Sequence, residues 1–303
     1  MGVAGQPHRA PPRRRRHAGA HPHPLPRTRT LPRRQHAADL KGCERSAFSQ
    51  KPKAGSLEPK RGCAIVQGSP GARVPAAPCL HPCRSTHAPL TIEVFADVTC
   101  PWCYLGERRL RRALDEVCAE QPDLTVVRRW RPFELQPDLP PEGVAWRTFA
   151  RTRFGGWERA TVLFERMEQL GRAEGIRFRF DKIQKANHTR DAHRLILFAR
   201  QHDREWDMVE ALFAAYFTQG RDLNSRKDLR TLVREVGLDE AAALDYLASG
   251  AGLDEIEASQ RSARRLGVRG VPCYILNGHP PLVGAQPTAL LAQALRAAGG
   301  APA

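Results

Sequence analysis

The chain has 303 residues, enough for one or two domains, and 48 basic against 32 acidic side chains give a net charge of +16. The charge is uneven: residues 1–88 hold 17 basic and 3 acidic side chains, net +14, while residues 89–303 hold 31 and 29, net +2. A basic tail on a nearly neutral globular part argues against a wholly basic nucleic-acid-binding fold; no run approaches the roughly 18 apolar residues of a membrane span, and eight cysteines are too sparse for a small disulfide scaffold.

Residues 1–88 are predicted to stay unfolded. Fourteen of the 25 prolines lie at or before Pro89, 7 of the 11 histidines precede it, and Arg13–Arg16 is an unbroken basic run. So few bulky apolar residues cannot offset the ordering entropy. The segment lacks the apolar core of about 7–15 residues that a secretory signal needs, and its prolines oppose the amphipathic helix of a mitochondrial presequence. The expected location is therefore cytoplasmic. After Met1 the next methionine is Met167, so a start codon inside the segment, at Val74 for example, is an alternative account of it. Arg13–Arg16 offers charge for phosphates, but no aromatic residues interleave with it. Neither nucleic acid nor membrane is an expected partner.

From Leu90 the pattern changes. Thr91–Asp97 alternates apolar and polar residues and predicts a strand. Pro101 to Glu120 predicts a helix, with Leu105, Leu110, Leu114, Val117 and Cys118 along one side. Leu124–Trp130 predicts a second strand, followed by a turn at Pro137–Pro141. Residues 143–265 read as helices: Val162, Met167 and Leu170 mark one, Leu195–Ala199 another, Trp206 to Phe217 a third and Leu229–Val236 a fourth. Gly237 and Asp239 stop that helix and cap the next. Val271–Asn277 predicts a strand, Pro280–Val283 its hairpin partner, and Gln286–Ala298 a final helix. The order predicts a small α/β sheet interrupted by a helical insertion. The expected boundaries are 1–88 for the tail, 89–140 for the first part of the α/β domain, 141–265 for an all-helical subdomain and 266–299 for the second part.

The strongest chemical signal is Cys100-Pro101-Trp102-Cys103, at the predicted junction of strand and helix. Cysteines three apart on a helical turn share a face, which brings them within disulfide range. Free N–H groups and the helix dipole at that end favour an anion, and the thiolate is the attacking species. Cys100 is then the nucleophile and Cys103 resolves the mixed disulfide. Pro101 suits the first helical turn, and Trp102 offers an apolar surface beside the sulfur. A closed zinc site needs four ligands; the folded part has no second such pair, so no metal is expected. A CxxC near a βαβ pattern reads as thioredoxin-like.

The second signal is Gly270-Val271-Pro272-Cys273-Tyr274. A proline opening a strand suits a cis bond or an edge strand. With the CxxC upstream, Val271-Pro272 is predicted to be a cis-proline loop facing it, with the Val271 backbone free to pair with an extended substrate. Asp97, three residues before Cys100, is a candidate proton relay for Cys103 or else a cap of the turn. His188 and His193, near the start of a helix in the insertion, are weaker candidates, since a histidine there is more often structural. Cys79 and Cys83 lie in the tail with nothing to activate them.

The chain resembles the DsbA-like thioredoxin family, and within it the FrnE-like branch, a group that includes 2-hydroxychromene-2-carboxylate isomerases and kappa-class glutathione transferases. The resemblance is carried by DVTCPWCYLG (97–106), WRPFELQPDLPPEG (130–143), TRDAHRL (189–195), ALFAAYFTQGRDL (211–223), LGVRGVPCYILNG (266–278) and GAQP (284–287), and covers residues 90–298. It implies a thioredoxin-like α/β fold with an inserted helical subdomain and dithiol–disulfide exchange at Cys100 and Cys103. It implies no required metal or nucleotide, glutathione as reductant or co-substrate, protein or small-molecule thiols and disulfides as partners, and a homodimer. Isomerase and transferase relatives usually carry serine at the first cysteine position and lack the second; retention of both here favours redox chemistry. A glutathione-dependent isomerase or transferase is the alternative, and a non-catalytic binding module the third reading. Two departures stand out. His188 occupies the place where relatives often have asparagine, with Asn187 one step earlier. Cys273 follows the proline where Phe or Thr is expected, as a third reactive thiol or a buried filler.

Overall fold

The structure is a computed structural model and describes residues 64–67 and 89–299. In chain order its strands are β1 Ala64–Gln67, β2 Leu90–Ala96, β3 Thr125–Pro132, β4 Val144–Ala145, β5 Lys185–Ala186, β6 Cys273–Leu276 and β7 Leu282–Val283. Its helices are α1 Pro101–Glu120, α2 Trp146–Phe154, α3 Trp157–Ala173, α4 Arg190–Arg200, α5 Glu205–Ala214, α6 Arg226–Glu235, α7 Glu240–Ala248, α8 Leu253–Arg265 and α9 Thr288–Ala298. The main sheet runs β1-β3-β2-β6-β7. β2 pairs parallel with β3, Val94 opposite Trp130, and antiparallel with β6, Val94 opposite Tyr274.

Strand periodicity sorts side chains to two faces. Ile92 and Val94 of β2 join Tyr274 and Leu276 of β6 in the larger core, which also takes Leu110 and Leu114 of α1 and Leu291 and Leu295 of α9. Phe95, Cys273 and Ile275 point the other way and pack against Ala263 of α8 and Val268. Phe95 at the end of β2 lies opposite Cys273 at the start of β6, so the β2–α1 junction and the start of β6 meet at one end of the two neighbouring strands.

The insertion was expected to be all-helical. It is mostly so, but β4 and β5 form a two-residue antiparallel ladder, Val144 opposite Ala186. Strands that short carry no alternation to detect. Val162 was expected on the inner side of α3 but is 64% exposed; Ala160, Phe164, Met167 and Gly171 form the buried side. α5 runs on into a π-helical turn, Ala215–Gln219, closed by Gly220 at φ 72°. Gly237 has φ 78°, and Asp239 caps α7 by accepting from Ala242 N at 2.7 Å.

β1 lies inside the segment expected to be unfolded and pairs parallel with β3. The rest of residues 1–88, with Cys43, Cys63, Cys79, Cys83 and Arg13–Arg16, lies outside the described residues. Among the described residues no helix is long and apolar enough to cross a membrane.

Candidate active site

β2 delivers the chain to the N-terminus of α1. Cys100 is the N-cap residue, with extended backbone (φ −94°, ψ 112°), and its carbonyl accepts from Cys103 N at 3.0 Å and Tyr104 N at 3.3 Å. Pro101 opens the helix, where a missing N–H leaves nothing unsatisfied. Cys100 and Cys103 lie 3.4 Å apart as free thiols. Both are buried; Trp102 between them is 40% exposed. Burial, with Cys100 and Asp97 close by, pushes the Cys103 thiol well above the ordinary thiol range.

The Val271–Pro272 peptide bond is cis, and the Cys100 thiol donates to the Val271 carbonyl at 3.8 Å. Gly284 N donates to the Pro272 carbonyl at 2.7 Å, tying the loop to the end of β7. α1 approaches this loop closely at Gly106, where a Cβ would sit 2.8 Å from Pro272 Cγ.

Asp97 lies beneath the pair, 1% exposed. One carboxylate oxygen accepts from Leu135 N at 2.8 Å, the other from Thr99 N at 3.2 Å and Thr99 Oγ1 at 3.4 Å. Burial outweighs these bonds and raises its pKa to about 6. His193, fully buried, is the neighbour: its Nε2 is 3.7 Å from Asp97 Oδ1. Its Nδ1 accepts from Trp130 Nε1 at 3.1 Å. Burial lowers its pKa to about 3, so the ring is neutral.

His188 belongs to a different cluster. Its Nδ1 accepts from Arg190 N at 3.4 Å and its Nε2 is 4.0 Å from Glu134 Oε1. Asn187 beside it donates to Asp222 Oδ1 and, at 2.6 Å, to Asn224 Oδ1. Cys273 points to the face of the sheet packed on α8, and burial raises its pKa to about 11. It is a packed side chain rather than a third reactive thiol. Cys118 is half-buried. Among the described residues no cluster of His, Cys, Asp and Glu is built to hold a metal ion.

Cys100 opens on a cleft of about 410 Å³, while Cys103 lies behind it and does not line the cleft. Cys100, Trp102 and Val271 form one side. The insertion forms the other with Trp146, Phe164 and Phe180, whose rings stack at 5.4 Å (Trp146–Phe164) and 4.6 Å (Phe164–Phe180). Sequence reasoning singled out none of these three rings, because an aromatic residue in a helical block reads equally well as core. It also missed Trp130, whose indole N–H contacts His193 across 63 residues of sequence.

Residues 91–296 match the family model of the DSBA-like thioredoxin domain. A probable DsbA oxidoreductase from Streptomyces coelicolor superposes with a TM-score of 0.63 at 29% identity, over 71% of this chain and 92% of its own. The cytosolic disulfide reductase DsbM from Pseudomonas aeruginosa superposes with a TM-score of 0.49 at 23% identity, over 68% of this chain and 99% of its own. YwbO, an uncharacterized protein of Bacillus subtilis (strain 168), is 24% identical over 186 residues, 61% of this chain and 86% of its own length.

Proposed function

Because the chain belongs to the DSBA-like thioredoxin domain family, we propose that it is a thiol–disulfide oxidoreductase that works through Cys100 and Cys103. One observation carries the reading: two free thiols lie 3.4 Å apart at a helix N-terminus, and the first of them, Cys100, lines the cleft. We place it with the FrnE-like branch, in a cytoplasmic setting, with glutathione as reductant.

Cys100 as thiolate attacks a substrate disulfide. One S–S bond breaks, a Cys100–substrate bond forms, and the departing sulfur takes a proton. Cys103 then gives its proton to the Asp97 carboxylate and attacks the Cys100 sulfur. The second substrate thiolate leaves, and the Cys100–Cys103 disulfide holds the oxidised state. Two electrons have passed from the dithiol to the substrate; two glutathione thiols restore it, becoming glutathione disulfide. The reverse sequence oxidises a substrate dithiol. Asp97, titrating at about 6, is largely ionised near neutral pH and available as the base. The Val271-Pro272 loop presents backbone to an extended substrate, and Trp102 lends apolar surface.

The test is a glutathione redox titration of the full chain, with the Cys100–Cys103 pair quantified by alkylation and peptide mass mapping. A reversible two-electron transition that vanishes in Cys100→Ser is expected, and its midpoint gives the direction of electron flow. No transition, together with glutathione-dependent turnover that survives Cys103→Ser, would replace this reading with the isomerase or transferase one.

A further inference from the structure

We propose that the cleft selects a small disulfide or thiol with an aromatic or apolar body and a carboxylate, a substrate class that rests on the redox reading above. The volume of about 410 Å³ falls within the roughly 300–1,000 Å³ of small-molecule sites. Its walls are mostly aromatic and aliphatic, so a polar body would lose hydration there without gaining partners.

The charged residues of the lining all have one sign. Arg153 of α2, Arg166 of α3 and Arg269 of the loop before Val271 line the cleft, and no aspartate or glutamate does. Each is exposed, and among the described residues none of the three forms an ion pair. That sets them apart from arginines nearby on α1: Arg108 and Arg111 pair with Glu210, and Arg109 and Arg112 with Glu174. Three unneutralised guanidinium groups from three separate elements, beside low-dielectric aromatic walls, focus a positive field on the cleft. A guanidinium also offers a fork of donors matched to a carboxylate. The apolar body would fill the aromatic cleft, the carboxylate would meet the arginines, and the substrate sulfur would face Cys100.

The chemistry is the exchange given above: enzyme dithiol plus one disulfide gives enzyme disulfide plus two thiols. No other oxidant is required for a single turnover.

The test uses the reduced full chain and single-turnover formation of the Cys100–Cys103 disulfide, quantified by alkylation and mass mapping so that the other cysteines do not contribute. The probes are 5,5′-dithiobis(2-nitrobenzoate), an aromatic dianion; 2,2′-dithiodipyridine, aromatic and neutral; and glutathione disulfide, anionic and polar. Each rate is divided by that of the same reagent with N-acetylcysteine. The normalised rate for the aromatic dianion should exceed that for the neutral reagent by about tenfold or more, the lower end of electrostatic steering. The advantage should shrink at high salt and in Arg153→Ala/Arg166→Ala/Arg269→Ala. These surface changes do not threaten folding, and the ratio, not the absolute rate, is the readout.

Equal normalised rates for the dianion and the neutral reagent would overturn the proposal, as would an advantage that persists in the triple variant. Glutathione disulfide matching the aromatic dianion would overturn the apolar half of it. Failure of all three reagents to form the Cys100–Cys103 disulfide would sink the redox reading itself, and this proposal with it.

Discussion

Trp130 Nε1 donates to Nδ1 of His193 at 3.1 Å, which makes Nδ1 an acceptor and leaves the neutral ring its proton on Nε2. That N–H faces the Phe133 backbone and Asp97 Oδ1, the latter 3.7 Å away. His193 is thus a fixed dipole aimed at the Asp97 carboxylate, the base proposed above for Cys103. Nitrogen-15 shifts of the wild-type ring should report the Nε2–H tautomer at neutral pH; an imidazolium or an Nδ1–H ring would refute the assignment. Trp130→Phe removes the donor and part of a ring that is 1% exposed and packed against Trp206 and Phe213. It leaves the buried Nδ1 unsatisfied and should cost about 1–3 kcal/mol or more, and it should slow closure of the Cys100–Cys103 disulfide more than the first attack by Cys100.

Asp97 should make stability fall as pH rises through a defined window. Its pKa is about 6 in the fold against an ordinary 3.8. Between those values the folded chain keeps a proton that the unfolded chain has released. The contribution is complete below 3.8 and lost above about 6, and two units correspond to about 3 kcal/mol. Asp97→Asn does not titrate, so its stability relative to wild type should rise by about that amount from pH 3.5 to pH 7.5. Any constant offset from disturbed bonds to Leu135 and Thr99 cancels in this difference. Urea denaturation at the two pH values measures it, and a gap that stays level would refute the buried titration. Disulfide closure should also accelerate through about pH 6 in wild type and lose that dependence in the variant.

Much of this site is legible in sequence because its parts are local. The adjacency of Cys100 and Cys103 follows from one helical turn, and the turn follows from a strand pattern ending at Asp97. Pro272 is marked by its position before the strand, although the ladder begins at Cys273. What was not legible depends on long-range packing. A lone His193 has no spacing partner in sequence, and only the fold sets Trp130 against it. The rings of Trp146, Phe164 and Phe180 lie on three separate elements, and an aromatic residue in each suits a core and a cleft wall equally well. The same holds for Val162, whose apolar character says nothing about which way α3 faces.

Gly106 is where α1 touches the proline loop. A Cβ there would sit 2.8 Å from Pro272 Cγ and closer still to Tyr274 Oη, and Tyr274 is buried in the core. Neither neighbour is a free surface side chain, so the helix or the loop must shift. Gly106→Ala should destabilise the protein by about 1–3 kcal/mol and move the Val271 carbonyl away from Cys100. Thermal melting gives the first effect. The rate of mixed-disulfide formation gives the second, and an alanine variant with unaltered stability and rate would refute the close approach.

Glu107 follows Cys103 by one helical turn and is held from below by Arg128 of β3. Arg128 Nη2 donates to both carboxylate oxygens, at 2.7 and 2.6 Å, and its guanidinium lies 3.7 Å from the ring centre of Trp206. Both side chains are buried, Arg128 at 4% exposure and Glu107 at 3%. Removing Arg128 leaves the buried Glu107 carboxylate with only the longer contact to the half-exposed Arg111, at 3.7 Å. Arg128→Met should therefore cost about 3–5 kcal/mol. The double variant Arg128→Met/Glu107→Leu removes both charges and should recover most of the loss, because a buried pair and apolar side chains of similar volume are close in stability. Urea denaturation of the single and double variants separates the two cases. Equal losses would mean that packing against Trp206, rather than charge pairing, holds α1 on β3 at this point.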